Sequence, residues 1–166
     1  TGAGKSVLLA MLALQFRRYP DSQVYVFDKG FSARAAVLAM GGAHHALGLG
    51  GESGHADDVG GRTIAFQPLR HIDRSNARAW ATEWIGALLA HEKVLVTPEI
   101  KEAVWSALTN LATAPIEERT LTGLSLLLQS APLRSALAPY TLEGSFGRLL
   151  DAAEDDLAIA DVQCFE

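Results

Sequence analysis

Apolar positions change their spacing along the chain, and each change predicts a different element. Val7-Leu8-Leu9-Ala10-Met11-Leu12-Ala13-Leu14 is apolar nearly all round, as expected of a helix covered on most sides beside a sheet. Arg17 and Arg18 suit the negative end of that helix, and Pro20 forbids its continuation. Gln23 to Asp28 then reads as a short buried strand closing in an acid, and Arg62 to Pro68 as a strand stopped by proline. Between them the glycine-rich stretch from Gly41 to Gly61 predicts a flexible hairpin or loop.

After Pro68 the period becomes helical. Ser75 can cap a helix whose Trp80, Trp84, Ile85, Leu88 and Leu89 fall on one side at three- and four-residue spacing. The tryptophans on that side read as core and not as a base-stacking platform. Thr97-Pro98-Glu99 supplies a cap, a first-turn proline and an early acid for a helix carrying Ile100, Val104, Leu108 and Leu111. Shorter helices are predicted over 121–129, 132–137 and 146–153, and a strand-like run resumes over 157–165. The order is therefore α/β, then all-α, then α/β again. It predicts the first part of an α/β domain over 1–69, an all-α insertion over 70–150 and a return to the first domain over 151–166.

Composition narrows the function classes. Apolar residues make up 49% and charged residues 20%, enough to bury a core. Lysine and arginine total 14 against 19 acids, a net charge of −5, which argues against gripping phosphate backbones by bulk charge. One cysteine, Cys164, cannot form an intrachain disulfide, and no apolar run reaches the roughly 20 residues of a membrane span. A reducing, cytoplasmic setting is expected.

The chemistry gathers at the start of the chain. Thr1-Gly2-Ala3-Gly4-Lys5-Ser6 reads as the closing positions of the phosphate loop G-x-x-x-x-G-K-[ST], with the first glycine expected upstream of Thr1. Gly4 lets successive N–H groups turn inward as an anion nest, and the helix starting at Lys5 adds its positive end. Lys5 would reach the β- and γ-phosphates, and the Ser6 hydroxyl is an oxygen that Mg²⁺ accepts. The alternative is a glycine turn that only caps a core helix.

Other candidates are weaker. Asp28 reads as a strand-end acid near Lys29 and not as the Mg²⁺-binding Walker-B acid, while Asp161 lacks the second acid that would polarise water. His44, His45 and His55, with a nearby acid, could bind a transition metal, but adjacent histidines point apart on a strand. Arg70, Arg74 and Arg78 read as a solvated face balanced by Asp73 and Glu83, with contact to nucleic acid or a neighbouring subunit as the alternative, and Arg119, Arg134 and Arg148 as minor candidates for a finger reaching a neighbour's γ-phosphate.

Taken in order, several strings resemble the conjugative-transfer ATPases of type IV secretion systems, the TrbE/CagE-like family. They are the phosphate loop, Val26-Phe27-Asp28-Lys29-Gly30, Met40-Gly41-Gly42, Ala65-Phe66-Gln67-Pro68-Leu69, the helix from Trp80 to Leu89, and Tyr140 through Gly144, Gly147, Leu150 and Asp151. The strand ending in Asp28-Lys29-Gly30 also resembles the wider HerA/FtsK group of hexameric pumps. The resemblance implies a partial RecA-like P-loop sheet interrupted by a helical insertion, ATP and Mg²⁺ as cofactors, and a homo-oligomer, often a hexamer. It further implies ATP hydrolysis at the inner-membrane face of a secretion channel, beside other components of the apparatus, with direct nucleic-acid contact left open. Thr1 to Ser6 map onto the family's nucleotide positions, Lys5 as the catalytic lysine and Ser6 as the Mg²⁺ ligand. The Walker-B acids, the water-positioning residue and the trans arginine are expected beyond Glu166, so residues 1–166 alone are expected not to hydrolyse ATP. A DNA-pumping or coupling ATPase and a non-hydrolysing nucleotide-binding scaffold are the alternative functions.

Overall fold

The computed structural model describes residues 4–30, 32–45, 47, 64–157 and 160–166. The protein is α/β, and it divides into two compact units, Thr1–Ile64 with Leu157–Glu166, and Ala65–Asp156.

The first unit contains helix α1 (Lys5–Phe16), strand β1 (Val24–Phe27), helix α2 (Arg34–Ala39), strand β2 (Ala43–His45) and strand β3 (Val162–Phe165). The strands form a small parallel sheet in the order β1-β3-β2. The run expected over 157–165 thus contributes a shorter strand at its far end, with residues 158 and 159 outside the described residues. The central strand is buried along Val162, Gln163 and Cys164. Helix α2 covers one face, setting Val37 and Met40 against Val162, Cys164, Val24 and Val26. Gly42 sits where β2 enters beside β3. A Cβ there would lie 2.6 Å from the Val162 carbonyl oxygen and 2.7 Å from its Cβ, so only glycine permits the approach.

Helix α1 is apolar nearly all round, yet none of its residues is buried, and Val7 and Leu9 are each 65% exposed. The cover expected from its sequence is not supplied by the described residues.

The second unit is helical, with α3 (Ser75–His91), α4 (Pro98–Leu111), α5 (Leu121–Leu127), α6 (Ala131–Leu137) and α7 (Gly147–Leu150). Its core joins Leu69, Ile72, Ile85, Leu89, Leu108, Leu121, Leu124 and Leu137, all fully buried. Ser75 is the first helical residue and not the cap, because the ladder already starts with Arg78 N–H donating to the Arg74 carbonyl at 2.9 Å. Thr97, Pro98 and Glu99 take the expected cap, first-turn and acidic positions of α4. Thr120 caps α5 by accepting the Gly123 N–H at 3.1 Å. Buried Asp151 accepts the N–H of Thr122 at 3.0 Å and also its hydroxyl. Trp80 departs from the core assignment, for it is 54% exposed and stacks on Trp84 with ring centroids 5.6 Å apart. The strand expected over 62–68 is reduced, among the described residues, to one antiparallel bridge between Ala65 and Asp156. Among the described residues no helix is long and apolar enough to cross a membrane.

Candidate functional site

Thr1, Gly2 and Ala3 lie outside the described residues, so the phosphate loop is seen from Gly4 onward. Gly4 has φ 74° and ψ 10°, a left-handed conformation that a residue with a Cβ adopts only under strain. From it the chain enters α1 at Lys5, with the Leu8 N–H donating to the Gly4 carbonyl at 2.9 Å. No side chain caps this helix start, and its first turn contains no acid. The first-turn N–H groups therefore keep their capacity for an external anion, and the helix dipole adds to it. Lys5 and Ser6 are exposed.

Ser6 also rims a cavity of about 130 Å³ between α1, β1 and α2, lined mostly by Leu9, Ala10, Ala13, Val26 and Val37, with Asp28 and Ser32 at its polar edge. Pockets for small molecules run to roughly 300–1,000 Å³. The cavity is a packing gap beneath α1 and too small for a nucleotide.

Asp28 has a different task. Its carboxylate accepts the Lys29 N–H at 2.8 Å, the Ser32 hydroxyl at 2.7 Å and the Ala33 N–H at 2.8 Å. The Ser32 hydroxyl, then the backbone donors, hold the Asp28 carboxyl below the ordinary carboxylate range. It clasps the turn that leads from β1 through Gly30, at φ 110°, into α2. Sequence reading missed this clasp, although a serine four residues after a strand-end aspartate is a usable signal. Asp161 is likewise engaged, accepting from Arg17 at 3.4 Å. That guanidinium also donates to the Ser22 carbonyl, fixing the end of α1.

His44 and His45 project to opposite faces of the sheet, His44 in register with Cys164 and His45 with Phe165. His55 lies outside the described residues. His45 stacks on Phe165 with centroids 5.2 Å apart, and burial pushes its pKa down. His44 Nε2 lies 2.8 Å from Glu166 Oε2. In the helical unit, the Arg119 guanidinium donates to the Ala114 and Arg70 carbonyls and to Asp73. Arg134 donates to the carbonyls of Leu128 and Gln129 at the end of α5.

No family model matches the chain. Relatives do. A probable conjugal transfer protein of the TrbE name from Sinorhizobium fredii is 41% identical over the whole chain, which covers 24% of that relative. "Conjugal transfer protein TrbE" from Rhizobium radiobacter is 38% identical over the whole chain and 20% of its own length. "Type IV secretion system protein virB4" from Bartonella henselae is 25% identical over 95% of the chain and 19% of its own length. The chain thus spans between a fifth and a quarter of the length of the TrbE relatives. Along its whole length it is a homologue of one segment of the conjugal transfer proteins named TrbE, with type IV secretion VirB4 proteins as more distant relatives.

Proposed function

We propose that the protein containing this chain binds Mg²⁺-ATP on the loop Thr1 to Ser6 and hydrolyses it to energise a conjugal transfer or type IV secretion apparatus. The observation that carries the reading is the start of α1, where a left-handed Gly4, an uncapped first turn without an acid and an exposed lysine and serine come together. These groups fit a polyphosphate. The backbone N–H groups and Lys5 would hold its charge, and the Ser6 hydroxyl would hold Mg²⁺. The metal supplies charge neutralisation at the phosphates. Asp28 is not offered as its acid, since its carboxylate already serves Lys29, Ser32 and Ala33. A parallel sheet flanked by α1 and α2 is compatible with a portion of a RecA-like domain. On this reading the protein works as a homo-oligomer, a hexamer, at the inner-membrane face beside other secretion components; the names of its relatives support the last of these, a place in a conjugal transfer or type IV secretion system.

The test uses the complete protein. Lys5→Ala should lower Mg²⁺-dependent phosphate release by at least about 100-fold, the scale of losing one preorganised charge donor, with an unchanged circular dichroism spectrum. Normal turnover by this variant would remove Lys5 from the site. Binding of a non-hydrolysable ATP analogue by the unaltered protein, without phosphate release from ATP, would favour the scaffold reading.

A further inference from the structure

On the α2-covered face of the sheet, at its carboxyl end, three metal-ligating side chains meet that are far apart in sequence. The β2–β3 register sets His44 opposite Cys164, and Glu166 follows two residues later on the same face. The backbone ladder continues around them. Glu166 N–H donates to the His45 carbonyl at 2.9 Å, and Leu47 N–H donates to the Glu166 carbonyl. The imidazole nitrogen, the thiol sulfur and a carboxylate oxygen all lie within 4.8 Å of one another.

We propose that His44, Cys164 and Glu166 form a binding site for a divalent transition-metal ion of the Zn²⁺ class. Tetrahedral Zn²⁺ with bonds of about 2.0–2.3 Å needs ligand atoms roughly 3.3–3.8 Å apart. The widest separation, up to 4.8 Å, has to close by about 1 Å and the His44–Glu166 pair, now at 2.8 Å, to open by about 0.5 Å, both within the reach of side-chain torsions. The donor chemistry selects the metal. A thiolate and an imidazole favour Zn²⁺ or Co²⁺ over Mg²⁺ and Ca²⁺, which prefer oxygen. One thiolate and one carboxylate also balance a divalent charge, and the thiol proton passes to solvent on binding.

The ion pair between His44 and Glu166 leaves a feature of the site unexplained. The Glu166 side chain is only 3% exposed and that of His44 8%, and Glu166 Oε1 is buried with no hydrogen-bond partner. A buried carboxylate oxygen without a donor points to a missing cation or donor. Asp28, near Cys164, does not compete as a ligand, because its oxygens are occupied in the clasp.

Cobalt is the probe, because thiolate-to-Co²⁺ charge-transfer absorption reports a cysteine ligand, and its loss in a Cys164 variant assigns it. Titration of the full chain with Co²⁺ should produce that absorption, saturating at one ion per chain, and Zn²⁺ should abolish it by displacement. Cys164→Ser should remove the band. His44→Ala and Glu166→Gln should each weaken Co²⁺ affinity by more than about 100-fold, since loss of an outer-shell partner alone costs up to about that much. Absence of the band from the unaltered chain at stoichiometric Co²⁺ overturns the proposal whatever the variants do. So does unchanged affinity in both the His44 and Glu166 variants.

Discussion

Tyr140 shows how one hydroxyl can set a stability limit. It is buried, and it donates to Glu92 Oε1 at 2.8 Å. Burial first, then the carboxylate of Glu92, pushes its pKa up to about 12. An unfolded tyrosine ionises near about 10. The contribution of this group is therefore complete below the unfolded value and is lost as pH rises through the folded one. Denaturant unfolding of the helical unit at about pH 8 and about pH 11 should show a fall in stability at the higher value. Tyr140→Phe should flatten that fall, while costing about 1 kcal/mol at neutral pH through the lost hydrogen bond. An equal alkaline loss in the variant would place the sensitivity elsewhere. Arg119 teaches the converse lesson. From sequence it is a free cation that could reach a neighbour, but its side chain is 13% exposed and donates to two carbonyls and Asp73. Sequence shows a charge, and only the fold shows whether it is already engaged.

Element boundaries were legible where their cause is local. Thr97-Pro98-Glu99 begins α4 where expected because cap, fixed φ and early acid act within one turn. Ser75 missed by one residue because the Arg74 carbonyl opens the ladder without a side-chain cap. The glycines of the segment after α6 are a different case, since their need is set by neighbours. A Cβ on Gly147 would collide with the Thr141 carbonyl, and one on Gly144 with the carbonyls of Ala138 and Pro139. Gly147→Ala should therefore destabilise the helical unit by about 1–3 kcal/mol, the usual cost of overpacking, read as a lower urea midpoint in helical circular dichroism. A midpoint equal to that of the unaltered chain would show that the segment relaxes freely. Of the His44, Cys164 and Glu166 cluster, only His44 was legible as a metal candidate, and its two partners were not. The cluster depends on the register between β2 and β3, and nothing in either strand's own sequence announces its partner.

At the scale of the molecule, the alternation of α/β, all-α and α/β patterning anticipates a sheet-bearing and a helical region because hydrophobic period is averaged over many residues. What it could not give was how well each element is covered, which left α1 apolar and exposed. The two cores differ in extent. The helical one spans Leu69 to Tyr140, whereas the sheet's buried cluster is Val37, Val162 and Cys164. A fragment of residues 65–156 should thus fold alone, with cooperative thermal unfolding followed by circular dichroism. A gradual, non-cooperative melt would show that its core depends on the sheet unit. The strand order also sets a timetable for biosynthesis. Among the described strands, β1 and β2 bond to β3 and not to each other, so their joining waits while the ribosome makes the whole helical excursion. That excursion can condense early on its own short-range contacts. The arrival of Val162 to Phe165 then joins β1 to β2, and until then both strands lack their shared partner and make the segment that carries them a substrate for a chaperone.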